Sequence, residues 1–259
     1  MATVIAVANQ KGGTGKTTTV VTLGHRLAMD GFRVLLVDTD VQGHVALALG
    51  LEKQPGIYQA VQWFQGVGEL LVIPARERLD IIPGDKSTEP AKRILAGMDF
   101  RERVLAEMFA EIGGRYDVVL IDCAPSVDVL HVAALVAADC LLIPTRLDHL
   151  AIDGVTEVIN SLAGIRRRSQ GAKLLGVVPT FLDRQTNESE IQLRALVQKF
   201  GKLVLPPVPV DTRLRECPAH GKTIWEYAPD TRSVVGVPVN GKLVGGYLQV
   251  VEKVKEMLR

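Results

Sequence analysis

The residues best equipped for chemistry stand near the start of the chain, in the run Asn9-Gln10-Lys11-Gly12-Gly13-Thr14-Gly15-Lys16-Thr17-Thr18. Gly12, Gly13 and Gly15 can adopt left-handed backbone conformations, so the chain can curl into a nest of N–H groups that faces an anion. A helix beginning near Lys16 adds the positive end of its dipole. Lys16 is then placed to reach the β- and γ-phosphates of a nucleotide, the Thr17 hydroxyl to ligate Mg2+, and Thr18 to meet the α-phosphate. The pattern G-x-x-x-x-G-K-[ST] would have its first glycine at Gln10, while Thr14 and its neighbours keep every other working part. A glycine-rich turn with two solvated lysines is the plain alternative. The run lies between a strand pattern and a helix pattern, however, as the phosphate-loop mechanism requires.

Carboxylates follow two further apolar runs: Asp38 and Asp40 come after Val34–Val37, and Asp122 after Val118–Ile121. In an open parallel sheet, ligands gather outside the carboxyl ends of the strands. Carboxylates there can hold Mg2+ through its waters or orient an attacking water. Asp38 and Asp40 could instead cap the turn at Gln42-Gly43, and Asp122 could simply close its strand. The guanine-reading string N/T-K-x-D does not occur in the chain, which favours ATP.

Such groups need a frame, and the hydrophobic pattern supplies one. Short apolar runs at Thr3–Ala8, Val34–Val37, Leu79–Ile82, Val118–Ile121, Cys140–Ile143 and Leu174–Val178 suit strands covered on both faces, hence a parallel sheet. Helical spacing marks Thr17–Asp30, Ala91–Ile112, Val127–Ala137, Ile152–Ser169, Glu188–Phe200 and Tyr247–Leu258. Strand–helix alternation over this length predicts a doubly wound, mostly parallel α/β sheet flanked by helices, in one domain over residues 1–259. Gly66–Pro74 and Val234–Gly246 read as surface excursions. With 47% hydrophobic and 23% charged residues, the 259-residue chain is too apolar for disorder. Its three cysteines show no C-x-x-C, which argues against disulfide, zinc and cluster frameworks. No basic leader or bilayer-length apolar stretch is visible, so the chain reads as cytoplasmic. Its net charge of +1 conceals an asymmetry. Residues 1–150 carry 14 basic and 18 acidic side chains, whereas residues 151–259 carry 16 and 11. An anionic polymer would therefore meet the second half.

Taken together, these residues resemble the deviant Walker A ATPases of the ParA/MinD type, a P-loop NTPase group marked by an extra lysine that opens the loop. Lys11 holds that position, and the resemblance implies that it crosses a nucleotide-sandwiched homodimer to the partner's phosphates. The segment Gly31–Gly43 is similar to the group's second motif, in which Asp40 would orient the hydrolytic water. Tyr116–Ser126 is similar to its Walker B strand and second switch. Asp211–Lys222 resembles the segment flanking the adenine pocket, with Pro209 packing on the base, and Thr180 and Asp183-Arg184 fit the pattern around the nucleotide. The resemblance thus implies Lys11, Lys16 and Asp40 as catalytic, Lys11 to Thr18 with Pro209 and Asp211 as nucleotide-binding, and Thr17, Asp38 and Asp122 at the metal. Departures are Val41 where the group commonly has Pro, His44 for Asn, and Val210-Asp211 for Arg-Asn. Val234–Gly246 is also longer than the usual turn.

Within the group, the nearest likeness is to the short, Soj-like ParA partition type. Its members bind DNA non-specifically when ATP-dimerised and release it when a ParB-like or adaptor protein stimulates a slow intrinsic hydrolysis. Arg166, Arg167, Arg168, Arg194, Arg213 and Arg215 are the candidate DNA contacts, and a nucleoid-associated location would follow. An arginine run at a helix end also complements the helix dipole. The alternative is a MinD-like membrane-surface positioning ATPase. The last helix reads as core-packing, however, with Leu248, Val251, Val254 and Leu258 on one face, so no membrane contact is expected.

Overall fold

Branched apolar residues with no polar partner in step form strands that must be covered on both faces. The computed structural model describes residues 2–167, 171–239 and 241–258. Its first half runs β1 (Thr3–Val7), α1 (Lys16–Met29), β2 (Val34–Asp38), α2 (His44–Ala48), α3 (Gly56–Phe64), β3 (Ile73–Arg76), β4 (Leu79–Ile82), α4 (Thr88–Ala96), α5 (Val104–Ile112) and β5 (Val118–Asp122). There follow α6 (Val129–Ala137), β6 (Cys140–Arg146), α7 (Ala151–Arg166), β7 (Lys173–Thr180), α8 (Asn187–Phe200), α9 (Thr212–Glu216), α10 (Ile224–Tyr227), α11 (Arg232–Val235), β8 (Val237–Val239), β9 (Lys242–Val244) and α12 (Tyr247–Leu258).

Seven strands form one sheet in the order β3-β4-β2-β5-β1-β6-β7. The pairs β4–β2, β2–β5, β5–β1, β1–β6 and β6–β7 are parallel, and only β3 runs against its neighbour. Alternate strand residues enter two cores. Leu35, Val37, Val119 and Ile121 join Ile57, Leu95, Met108, Leu135 and Val155 on one face. Leu36, Val118 and Leu120 join Val20, Leu23, Leu27, Tyr247 and Val251 on the other. The register pairs Asp122 with Val7 on one side and with Asp38 on the other. Three strand ends therefore meet at one edge of the sheet, and the glycine-rich loop leaves from the middle of it.

Three expectations need correction. The pattern over Ala91–Ile112 is two helices, α4 and α5, because the chain breaks at Gly97 and Phe100 takes a left-handed φ of 54°. The excursion at Gly66–Pro74 ends in strand: Ile73–Arg76 pairs antiparallel with β4 at the sheet edge. In the second excursion, residues 234–239 and 241–246 include the end of α11 and the paired strands β8 and β9. α12 behaves as the sequence suggests. Tyr247, Val250, Val251 and Val254 are buried against α1 and the sheet, and Lys255 binds Asp30 at 3.1 Å. Among the described residues, no helix is long and apolar enough to cross a membrane.

Candidate active site

The loop from β1 to α1 is pinned at both ends by its own polar atoms. The Asn9 amide, fully buried, donates to the Pro144 carbonyl at 2.8 Å, and its Oδ1 accepts the Lys11 N–H at 3.0 Å. At the far end Gly15 takes a φ of 87°, which a side chain would oppose, and Thr19 N–H returns to its carbonyl at 2.8 Å. No side chain caps α1, so its first turn is left to face an anion. Lys16 Nζ spans the loop to the Lys11 carbonyl at 3.0 Å. Burial lowers the Lys16 pKa, against the opposing pull of Asp122, Cys123 and Asp40. Gly12 and Gly13 are exposed, whereas Thr14 is buried and its hydroxyl has no partner. The Thr14 carbonyl is fixed by the Thr180 hydroxyl at 2.9 Å.

Lys11 does not point to solvent. In this single chain its amine donates to the Leu150 carbonyl at the start of α7, and its stem lies where a Cβ on Gly154 would approach within 3.2 Å. The lysine that the resemblance sends across a dimer is seated here on its own protomer.

The three carboxylates play different parts. Thr17 Oγ1 donates to Asp122 Oδ2 at 2.6 Å, while Asp122 Oδ1 is buried with no partner. Burial pushes the Asp122 pKa up to about 7, against the Thr17 bond and the Lys16 charge. Asp38 is fully buried, and burial followed by the neighbouring Asp122 raises its pKa well above the carboxylate range. Both of its oxygens are engaged, by the N–H groups of Asp40 and Val45 at 3.0 Å each. Asp38 thus braces the loop at Asp40 and Val45 and makes no bond to Gln42-Gly43. Asp40 is half-buried and accepts the Gln42 N–H at 3.0 Å through Oδ1, so Oδ2 is not used in that bond. The Thr39 hydroxyl ties this loop to the Asp122 carbonyl at 2.8 Å.

Beside Gly15 and Thr18 lies a cavity of about 300 Å3 whose walls include Thr180, Phe181, Pro209, Asp211 and Tyr247. Pro209, the residue that the resemblance packs on the base, forms part of this wall. The Asp211 carboxylate, though, serves the fold: it accepts the Arg213 and Ser233 N–H groups at 3.0 and 3.1 Å and the Thr231 hydroxyl. Against the penalty of burial, these bonds hold its pKa below the usual range. The sequence reading passed over Phe181. Its φ of 57° is rare for an aromatic residue, and the guanidinium groups of Arg146 and Arg215 lie 5.2 and 5.7 Å from its ring centroid. Its place directly after Thr180, itself assigned to the nucleotide, was the available signal.

The basic candidates do not share one surface. Arg213 and Arg215 are exposed on α9, and Arg215 lines the cavity beside Gly15 and Thr18. Arg166 and Arg167 are exposed at the far end of the 16-residue α7, about 24 Å from the end that receives Lys11. Arg194 is exposed on α8 and paired with Glu190 at 3.2 Å, and Arg168 lies outside the described residues.

Comparison with known proteins adds the family. A model of the AAA domain matches residues 2–174. The sporulation initiation inhibitor protein Soj of Bacillus subtilis (strain 168) is 36% identical over 238 residues, covering 90% of this chain and 94% of that protein. The chromosome-partitioning ATPase Soj of Thermus thermophilus is 37% identical over 230 residues, covering 87% and 88%. Among solved structures, cobyrinic acid a,c-diamide synthase from Mycobacterium smegmatis, with an ATP analogue and magnesium bound, superposes with a TM-score of 0.75. It is 32% identical and covers 85% of this chain and 93% of that one. With the doubly wound sheet, the lysine-opened phosphate loop and these relatives, the chain belongs to the AAA-domain ATPases of the ParA/MinD type.

Proposed function

We propose that this chain is a partition or positioning ATPase that uses ATP with Mg2+ to close two copies face to face. The ATP-bound dimer holds DNA without sequence preference, and slow hydrolysis, quickened by a ParB-like or adaptor partner, releases it. A cytoplasmic, nucleoid-associated location follows from that cycle. The observation that carries the reading is the meeting of Lys16, Thr17 and the free oxygen of Asp122 at three adjacent strand ends. An orphaned buried carboxylate oxygen beside a threonine hydroxyl is a donor set that fits a hard cation, with oxygen ligands and room for waters. Mg2+ bound there would offset charge on the phosphates. Lys16 supplies positive charge across the loop, the first turn of α1 supplies N–H donors, and Asp40 Oδ2 is free to orient water.

Light scattering and DNA retention test this reading together. ATP should convert the protein to a dimer that stays on DNA, with retention falling steeply between 50 and 200 mM salt, on the order of 10-fold or more. Lys11→Ala should bind ATP normally and remain monomeric. A wild-type protein that stays monomeric with ATP, or a Lys11→Ala protein that dimerises normally, would refute the proposal.

A second reading has one observation in its favour. A cavity of about 420 Å3 opens beside Thr17 and Thr18, between His44, Leu47, Leu214 and Lys222. The diamide synthase relative would make it the acid pocket of an ATP-dependent ligase. ATP consumption that depends on a small acid and ignores DNA would favour that reading. Nothing comparable favours a membrane role, because the apolar face of α12 is already buried.

A further inference from the structure

The turn after β4 presses on the loop that carries Asp38 and Asp40. A Cβ added at Gly84 would sit 2.5 Å from the Asp40 carbonyl oxygen, 2.7 Å from that of Asp38 and 3.3 Å from Asp38 Cγ. Gly43, at a φ of 59°, closes the same contact from the other side, where a Cβ would lie 2.3 Å from the Gly84 carbonyl oxygen. The turn itself has backing. A Cβ on Gly56 would meet Pro83 at 2.6 Å, Ile57 N–H donates to the Pro83 carbonyl at 3.1 Å, and the Asp85 carboxylate accepts the Ser87 N–H at 2.8 Å. Backbone meets backbone with no side chain between them to absorb a shift.

We infer that Gly84 is a positioning residue for hydrolysis: the bare backbone of the β4 turn is the mould that fixes Asp40. The inference rests on the proposed role of Asp40 in orienting the attacking water. The phosphate grip itself comes from the loop between β1 and α1, so a shift of the loop at residues 38–40, which meets β5 through the Thr39 hydroxyl, falls on the hydrolytic step before it falls on ATP binding. A methyl group at Gly84 must move the Asp40 carbonyl from 2.5 Å to beyond 3.0 Å, the near limit of real Cβ contacts. Misplacement of a reacting group by a fraction of an ångström to 1 Å is enough to slow a reaction by up to about 100-fold.

The test is single-turnover ATP hydrolysis with ATP affinity measured in parallel, on Gly84→Ala, Asp40→Ala and the double variant. Gly97→Ala, where the nearest atom to the added Cβ is the Ile94 carbonyl at an ordinary 3.6 Å, serves as the control. Gly84→Ala should hydrolyse about 10- to 100-fold more slowly with ATP affinity within about threefold of wild type, and Gly97→Ala should match wild type. In the Asp40→Ala background the glycine substitution should have no further effect, because it acts through that carboxylate. Normal turnover in Gly84→Ala, or an additive loss in the double variant, overturns the inference while leaving Asp40 in its role. Normal turnover in Asp40→Ala removes the underlying reading instead. Should Gly84→Ala lose its cooperative melt, Pro83→Ala replaces it. That variant loosens the turn against Gly56 without adding bulk, and it should show the same fall in rate at unchanged affinity; an unchanged rate counts against the mould.

Discussion

Asp122 shows how a single side chain can be costly to the fold and necessary to the site. Its carboxylate is buried, shares one oxygen with Thr17 and leaves the other unpartnered. An unsatisfied buried acceptor costs about 1–3 kcal/mol, and a buried charge more. Asp122→Asn keeps the shape and removes the charge. It should therefore raise the stability of the nucleotide-free protein by ~1–2 kcal/mol. The same change should weaken Mg2+-dependent ATP binding at least ~10-fold by taking away a hard anionic donor. Chemical denaturation without nucleotide and titration calorimetry with Mg2+ and ATP check the two halves. A variant that is less stable, or that binds normally, contradicts this account of the residue. At this scale the sequence was informative where a residue's type states its task. Lys16, Thr17 and Asp122, singled out by type, lie together in the structure. Asp211 carries a task that its motif does not state, because one of its oxygens is claimed by the Thr231 hydroxyl and the Ser233 N–H, from residues about twenty positions away.

Elements were legible in proportion to how much of their stability comes from a buried stripe. The six parallel strands and the helices α1, α6, α7, α8 and α12 announce themselves because one or both faces must be apolar. The edge strand β3 and the hairpin β8–β9 do not, since their burial is partial and their order comes from backbone contacts instead. In the hairpin segment, Gly245 has a φ of 83°, and a Cβ there would lie 2.2 Å from the Pro207 carbonyl oxygen. Gly31 has a φ of 99° with nothing within 4 Å. Both glycines carry the backbone penalty of about 1–2 kcal/mol for a side chain, but only Gly245 adds a clash, of roughly 1–3 kcal/mol. Gly245→Ala should therefore lower stability by ~2–4 kcal/mol and Gly31→Ala by about half as much. Equal losses in urea melts would mean that the segment is as loose as its composition suggests.

Across the whole molecule, buried titratable groups pull stability in opposite directions with pH. His25 is buried, with Nδ1 on the Thr223 hydroxyl at 2.7 Å and with Glu226 and Arg76 nearby. His131 is buried near Asp128 and Lys16, and neither ring nitrogen has a partner. Burial lowers both pKa values below the ordinary 6.5. The unfolded chain then binds the extra protons, so the stability contributed by these neutral rings is complete above about pH 6.5 and is lost as the pH falls below it. Asp122 works the other way, as does the buried Asp38 beside it, whose pKa burial also raises. The folded Asp122 pKa of about 7 exceeds the unfolded value of about 3.9, so the folded state binds the extra proton and stability falls as the pH rises from about 4 to 7. The wild-type protein should show a shallow dependence between pH 5 and 7 because these slopes offset each other, each by at most about 1.4 kcal/mol per pH unit. Removing one side exposes the other. The gain from Asp122→Asn should grow from pH 5 to 8, and the gain from His131→Leu, which fills the site with an apolar side chain, should grow from pH 7 down to 5. Guanidinium melts of the three proteins across that range decide the matter, and gains that do not vary with pH would show that these buried groups keep their ordinary pKa values in the folded chain.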